Sequence, residues 1–223
     1  MTHLLTGAGS GIGEDLARRL LARGDDVVAI ARSDQRAAEL AESLPGVRTL
    51  VADLADPGSL DGLELPDRLD SLVHSAGVVE LGPVAELTAS AWTSQLQVNL
   101  VAPAVLTRLA LPALRAARGT VVLVNSGAGL VAHPEWGAYA ASKHGLKALA
   151  DALRGEEQQH GVRVTSVYPG RTATAMQEEV HAHEGKDYDA ADWIRPETVA
   201  EAIVGVLGLG PDATLTDLTL KPR

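Results

Sequence analysis

The sequence predicts a single α/β domain spanning residues 1–223, built as a doubly wound layer structure around a parallel, seven-stranded sheet. Three observations carry that expectation. The run TGAGSGIG at 6–13 follows a short apolar segment and opens an amphipathic helix, the order strand, glycine turn, helix. Beyond it, short aliphatic runs alternate with helical patterns along the whole chain, and such alternation forms parallel sheets. The length of 223 residues with 46% hydrophobic content buries one full core, which the absence of Phe makes aliphatic. No internal repeat, low-complexity tract or interdomain linker interrupts the pattern.

The first strand is Thr2 to Thr6. Gly7 then allows a tight turn, Gly11 lets the backbone approach a pyrophosphate, and Gly13 permits close helix packing, with the helix N-terminus receiving the phosphate charge. Ile12, Leu16, Leu20 and Leu21 share one side of the helix, and a strand at Asp26 to Ala31 completes a Rossmann-type right-handed unit. A helix from Ser33 to Ser43 closes at Pro45 and Gly46, followed by a strand Val47 to Val51 and a turn-rich segment, Asp53 to Asp61. The fourth strand is Leu72 to Ser75. HSAG at 74–77 leads to a helix over about 89–118, which Pro103 and Pro112 should bend or interrupt. Strand five is Thr120 to Asn125, the next helix runs to about His160, and strand six is Val162 to Tyr168, ended by Pro169 and Gly170. Residues 171–195 are polar, acidic and weakly periodic, an irregular stretch expected to act as a substrate lid. Pro196 starts a helix to about Leu209, and Ala213 to Leu220 forms the last strand.

Charge narrows the partners. A net charge of −10 without a Lys/Arg cluster argues against nucleic acid and against an anionic membrane surface. No apolar stretch is expected to approach the ~20 residues of a bilayer span, and MTHLLTGAGS lacks the basic flank and apolar run of a signal peptide. The expectation is a soluble, cytoplasmic protein. Zero Cys excludes disulfides, thiolate metal sites and thiol nucleophiles.

Chemistry concentrates at 126–143, SGAGLVAHPEWGAYAASK. Tyr139 and Lys143, four apart, lie on one helical face, where an ammonium beside a phenol favours the phenolate and lowers its pKa from ~10. Ser126 ends an apolar strand, from which its hydroxyl could hold a substrate oxygen against the same Tyr. The three read as proton-transfer machinery. The alternative is a surface pair arising by chance on a helix.

The glycine motif at 6–13, HSAG at 74–77, Asn99, Ser126, YAASK at 139–143 and PGRTAT at 169–174, in this order, resemble the short-chain dehydrogenase/reductase family over nearly the whole chain. The resemblance implies a nicotinamide cofactor and hydride transfer to or from an alcohol or carbonyl carbon. It implies Tyr139 as general acid or base and Ser126 as its hydrogen-bonding partner. It implies that Lys143 holds the nicotinamide ribose and that the backbone carbonyl of Asn99 holds a water relaying protons from Lys143. Asn99 alone would read as an ordinary polar helix residue. The family usually has Asn-Asn-Ala-Gly where this chain has HSAG; Ala76 and Gly77 keep the backbone approach to the adenine ribose, and His74 is expected to replace an Asn hydrogen bond within the sheet. Further cofactor positions implied by the matched motifs are Gly7, Ser10, Gly11, Ile12, Gly13, Leu54, Pro169, Gly170, Thr172 and Thr174.

The cofactor is expected to be NADP(H), with NAD(H) the alternative. A free 2′-hydroxyl is usually read by a carboxylate at the end of the second strand, but that position is Ala31, and Arg32 follows with a fork suited to phosphate. Ser33 could add a hydrogen bond. Against this, Arg32 could be only solvated, and Asp34 could reach the ribose. Asp53 matches the family's adenine-contacting position and otherwise reads as a turn or N-cap residue. The substrate wall is expected from Ala128, Leu130, His133 and Trp136, from Val79 and Leu81, and from Met176, with Trp136 either a stacking surface or packing. His181 and His183 diverge at i, i+2, so no metal is expected, and both read as lid surface residues. The expected function is reduction of a small carbonyl compound or the reverse oxidation. A nucleotide-sensing or scaffold protein on the same fold and an epimerase with a transient keto intermediate are the alternatives. Family resemblance also implies a homodimer or homotetramer built through the two long helices.

Overall fold

The computed structural model describes residues 1–223. Seven parallel strands, β1 (Thr2–Thr6), β2 (Asp26–Ala31), β3 (Arg48–Val51), β4 (Ser71–His74), β5 (Thr120–Val124), β6 (Arg163–Pro169) and β7 (Asp217–Leu220), lie in the order β3-β2-β1-β4-β5-β6-β7. The register is uninterrupted, with Leu4 beside Val28 and Leu72, and Val122 beside Val73 and Thr165. The order in which the chain adds strands reverses between β1 and β4, and the crevice that this opens at their carboxyl ends is where doubly wound sheets bind ligands.

Both faces of the sheet are covered, which is why the strands read as aliphatic runs rather than alternating ones. Neighbouring residues on a strand point to opposite faces: Leu5, Ala29, Val73, Val122 and Val167 pack under the helices α1 (Gly11–Ala22), α2 (Asp34–Ser43) and, placed later in the chain, the helix Pro196–Leu207. Leu4, Val28, Leu72, Val121 and Val164 pack on the other side, under Leu106, Ala110 and Leu114 and under Leu146, Ala150 and Leu153.

The long helix expected over 89–118 is three pieces. The helix α3 (Ala89–Leu96) runs into a π-helical turn, Gln97–Val101, and then α4 (Ala102–Ala117). The break precedes Pro103, which lies at the start of α4 where a missing N–H costs least, whereas Pro112 is tolerated inside α4. The run Ala89–Ala117 also corrects the expectation about spans: at 29 residues and a mean hydropathy of 1.4 it is long and apolar enough to cross a membrane by length and composition. Here its buried face, including Leu106, Ala110 and Leu114, packs on the sheet.

Two other boundaries move. The stretch 171–195 is not irregular but contains the helix α6 (Ala175–Glu184), which follows α5 (Gly137–Glu157) and precedes α7 (Pro196–Leu207). Its polar sequence hid the helix, because only Val180, Gln177 and His181 are buried on it. The last strand is shorter than Ala213 to Leu220, since 213–216 run beside β6 without joining the sheet as a strand.

Polar ties cross the layers. His74, at the end of β4, is buried and bonds Thr107 Oγ1 of α4 through Nε2 at 2.9 Å, so its partner lies on a helix rather than within the sheet. Glu157, 1% exposed at the end of α5, is held by Nε and Nη2 of Arg115 from α4, at 2.8 and 2.6 Å. Removing Arg115 strands that carboxylate, so Arg115→Met is expected to lose about 2 to 3 kcal/mol of stability by urea denaturation. The double variant Arg115→Met/Glu157→Leu should recover most of the loss.

Candidate active site

The carboxyl ends of β1, β4, β5 and β6 converge on one cavity of about 670 Å³. On its β1 side the glycine turn supplies Gly7, Ser10, Gly11 and Ile12. Gly7 has φ +73°, and a Cβ there would stand 2.7 Å from the Ala76 amide nitrogen, so the turn and the end of β4 meet backbone to backbone. Thr6 Oγ1 fastens that junction by accepting the N–H groups of Ser75 and Ala76 at 3.2 and 3.1 Å. Ser10, the N-cap of α1, makes no side-chain cap hydrogen bond, which leaves the first N–H groups of the helix to an anion.

Ser126, at the exit of β5, accepts the Ala128 N–H at 3.2 Å and starts a short 3-10 turn, Gly127–Gly129. Asn125 joins this strand end to α5, accepting the Ser126 N–H at 2.9 Å and donating to the Lys143 carbonyl at 3.0 Å. Tyr139 and Lys143, one turn apart on α5, are both buried and both face the cavity. Lys143 Nζ donates to the Val124 carbonyl at 3.1 Å and lies 5.8 Å from the centre of the Tyr139 ring. Trp136 meets the Tyr139 ring edge-on at 5.8 Å.

Burial sets the charges of this pair. The Tyr139 phenol is pushed up from its ordinary value by burial, with the Ser126 hydroxyl pulling it back, and burial lowers Lys143 to about 8. The sequence led us to expect Lys143 to depress Tyr139. Burial instead raises Tyr139, and the hydrogen-bond partner of the ammonium is the Val124 carbonyl rather than the phenol. Burial therefore favours the neutral phenol.

Asn99 sits in the π turn. Its side-chain amide accepts the Val78 N–H, donates to the Val78 carbonyl, both at 2.9 Å, and donates to Ser142 Oγ at 3.0 Å. These bonds pin the strand-four loop against α5. Regular winding would pair the Asn99 carbonyl with the N–H of residue 103, which is Pro and has none, so the carbonyl loses its α-helical partner.

The stretch after β6 closes the cavity on its remaining side. Pro169, Gly170, Arg171, Thr172 and Thr174 line the cavity, and Thr174 caps α6 by accepting the Gln177 N–H at 3.3 Å. A Cβ on Gly11 would meet Thr174 Cγ2 at 3.0 Å, so the glycine turn and the start of α6 lie in contact. Met176, Gln177 and Val180 continue the wall. Arg171 holds Glu184 at 2.6 Å and lies 3.3 Å from His181 Nε2, while His181 Nδ1 donates to the Gln177 carbonyl at 2.8 Å. His181 is thus buried, 2% exposed between Tyr188 and Trp193, and not a surface residue; His183 is exposed. No group of His, Asp or Glu gathers in a metal-binding arrangement.

A protein-family model described as short chain dehydrogenase matches residues 2–185. The chain belongs to the short-chain dehydrogenase/reductase family. Its relatives include dehydrogenase/reductase SDR family member 7B of Bos taurus, 33% identical over 226 residues, covering 92% of this chain and 70% of that protein. Among solved structures it is similar to a family oxidoreductase from Burkholderia thailandensis, at 31% identity and a TM-score of 0.86, covering 99% of this chain and 91% of the other. It is also similar to an alcohol dehydrogenase from the archaeon Thermococcus sibiricus complexed with 5-hydroxy-NADP, at 25% identity and a TM-score of 0.84, covering 100% of this chain and 98% of the other. Membership makes the chain an oxidoreductase-family protein with an NAD(P) site and small-molecule chemistry.

Most residues singled out from the sequence share the cavity: Gly7, Ser10, Gly11, Ile12, Ala76, Gly77, Ser126, Ala128, Trp136, Tyr139, Lys143, Pro169, Gly170, Thr172, Thr174 and Met176, whereas Asn99 is buried outside its lining. Val79 and His133 also line it. Gly13 does not; it packs against the Gly7 carbonyl, as close helix packing requires. Leu130 is 44% exposed and outside the wall, and Leu81 lies behind it, packed with Tyr139 and Val180. Arg32, Ser33, Asp53 and Leu54 lie outside the enclosed space. Arg32 is exposed just past β2, Ser33 caps α2, and Asp53 closes its own turn by accepting the Ala55 N–H at 2.9 Å. Ser75, Gly127, Gln177, Val180, Arg171 and Glu184 line the cavity without having been singled out. Arg171 was within reach, standing between Gly170 and Thr172 in PGRTAT; the α6 residues were not, because their helix was read as irregular.

Proposed function

We propose that this chain is an NADP(H)-dependent oxidoreductase interconverting a carbonyl and an alcohol on a small organic substrate. The observation that supports it is the convergence of Ser126, Tyr139 and Lys143 on one cavity whose other wall is the glycine turn. A dinucleotide fits the residues present. The uncapped N-terminus of α1 suits a pyrophosphate, Gly7 and Gly11 admit it without side chains, and β2 ends on the buried Ala31, which offers no carboxylate against a 2′-phosphate. When bound, the nicotinamide would supply or accept the hydride.

The chain's own residues do the rest. Ser126 Oγ and Tyr139 Oη hold the substrate oxygen, and Tyr139 gives up its proton to it as the carbonyl is reduced. Lys143 holds the nicotinamide ribose and stabilises the phenolate left behind. The protons of Tyr139 and Lys143 would be restored through a water held by the backbone carbonyl of Asn99. The wall of Val79, Ala128, Trp136, Met176 and Val180 selects an apolar or aromatic body. We assign the lid role to 171–195 within a single domain, 1–223. The acidic, cysteine-free composition supports a cytoplasmic protein without nucleic-acid or membrane partners, and we assign a homodimer or homotetramer packed through α4 and α5.

The test is calorimetric titration with NADPH and NADH of the protein and of Arg32→Ala. NADPH is expected to bind at least about tenfold more tightly, as one charge-assisted phosphate contact provides, with the gap narrowing in Arg32→Ala. Equal or NADH-favoured binding would overturn the cofactor assignment. NADPH binding without turnover across a broad carbonyl panel would identify a nucleotide sensor, and conversion without net cofactor consumption an epimerase.

A further inference from the structure

The glycine turn TGAGSGIG carries no basic side chain, yet a cation lies against it. Arg36, on the first turn of α2, reaches back so that a Cβ on Gly9 would stand 2.5 Å from its Nη2. Leu40, one turn further on the same face, meets the same point at 3.4 Å and is buried in the core. Packing at Leu40 thus fixes the phase of α2, and that phase delivers Arg36 to Gly9. Any side chain at Gly9 would push the guanidinium away.

The position is electrostatically odd. A cation in the first turn sits at the positive end of the helix, beside a turn whose own N–H groups and helix N-terminus are positive as well. The Arg36 charge is answered only by Glu39, three residues along the same helix, in an ion pair that is more than a third exposed at both ends. Ser33, whose Oγ accepts the Arg36 N–H at 3.3 Å, the exposed Arg32 and the exposed Asp34 stand in the same stretch of chain. Arg32, Ser33, Asp34 and Arg36 thus follow one another at the N-terminus of α2, next to the end of β2 where the ribose of a bound nucleotide would lie.

We propose that Arg36 is a second ligand of the 2′-phosphate, exchanging Glu39 for the phosphate when NADP(H) binds, so that Gly9 and Arg36 together do what a basic residue in the glycine turn would do. This rests on the NADP(H) reading above. Glu39 is then a gate on cofactor choice, holding the guanidinium in place and competing for it.

Fluorescence titrations with NADPH and NADH of the protein, Arg36→Gln, Arg36→Lys and Glu39→Gln test it. Arg36→Gln should weaken NADPH at least about tenfold, the value of a charged hydrogen bond, and leave NADH where it was. Arg36→Lys should restore part of the loss, and Glu39→Gln should tighten NADPH alone. If the protein prefers NADPH and Arg36→Gln keeps that preference while Arg32→Ala loses it, the inference is wrong and the cofactor reading stands. Equal weakening of both cofactors in Arg36→Gln would make Arg36 a structural support and overturn the inference. No NADPH preference in the unaltered protein would overturn the cofactor reading and the inference together.

Discussion

Tyr139→Phe is expected to lower kcat by about 10²- to 10⁴-fold, the range for a positioned proton donor, while NADPH binding stays near that of the unaltered protein. The ring packs against Trp136, Ala128 and Val180, and Phe keeps those contacts, so the variant should fold and melt normally. Only the hydroxyl is lost, and with it the proton delivered to the substrate oxygen. The pH profile gives the same residue a second signature. Because burial raises the phenol, it is protonated through the neutral range, so reduction should be insensitive to pH there. Oxidation needs the phenolate and should climb as pH rises. Steady-state rates in both directions from pH 6 to pH 9 check this, and a Tyr139→Phe protein with near-normal kcat would sink the assignment.

Acid should weaken the fold through His74. Burial lowers its pKa from 6.5 to about 3, so the folded protein keeps the ring neutral while the unfolded chain takes up a proton below pH 6.5. Stability is therefore fully present above 6.5, is lost as pH falls from there, and has gone by about 3. The largest loss from this one group is on the order of 5 kcal/mol, and at pH 5.5 it is already roughly 1 to 1.5 kcal/mol. His3, also buried and also lowered, acts in the same direction. His74→Asn keeps a side-chain donor near Thr107 and removes the titration. Urea denaturation at pH 7.5 and pH 5.5 should show the drop between the two pH values to be smaller in His74→Asn than in the unaltered protein. Identical drops would mean that the ring is not held neutral.

The sheet was legible because burial on both faces leaves a run such as Val121 to Val124 no polar alternative, and the glycine turn because close backbone approach excludes side chains. The residues assigned here to proton transfer were legible by their motif spacing. Their charge state was not, since the sign of the Tyr139 shift depends on how dry the pocket is and where Lys143 Nζ points. The helix α6 escaped notice because it buries Gln177 and His181, residues that a periodicity argument counts as polar. The contact of Arg36 with Gly9 escaped for a different reason: it depends on the rotation of α2, which the packing of Leu40 sets.

The wide turn at 97–101 has a bearing on chain length. A π turn is an α-helix carrying one residue too many, absorbed locally so that the helix before and after keeps its facing. Loss of a single residue there would let the segment wind regularly, with Leu106 and Ala110 still directed at the sheet. The fold would tolerate the shortening while the grip of Asn99 on Val78 disappeared. Over these five residues the count of amino acids, apart from their identity, separates a sound scaffold from a working enzyme.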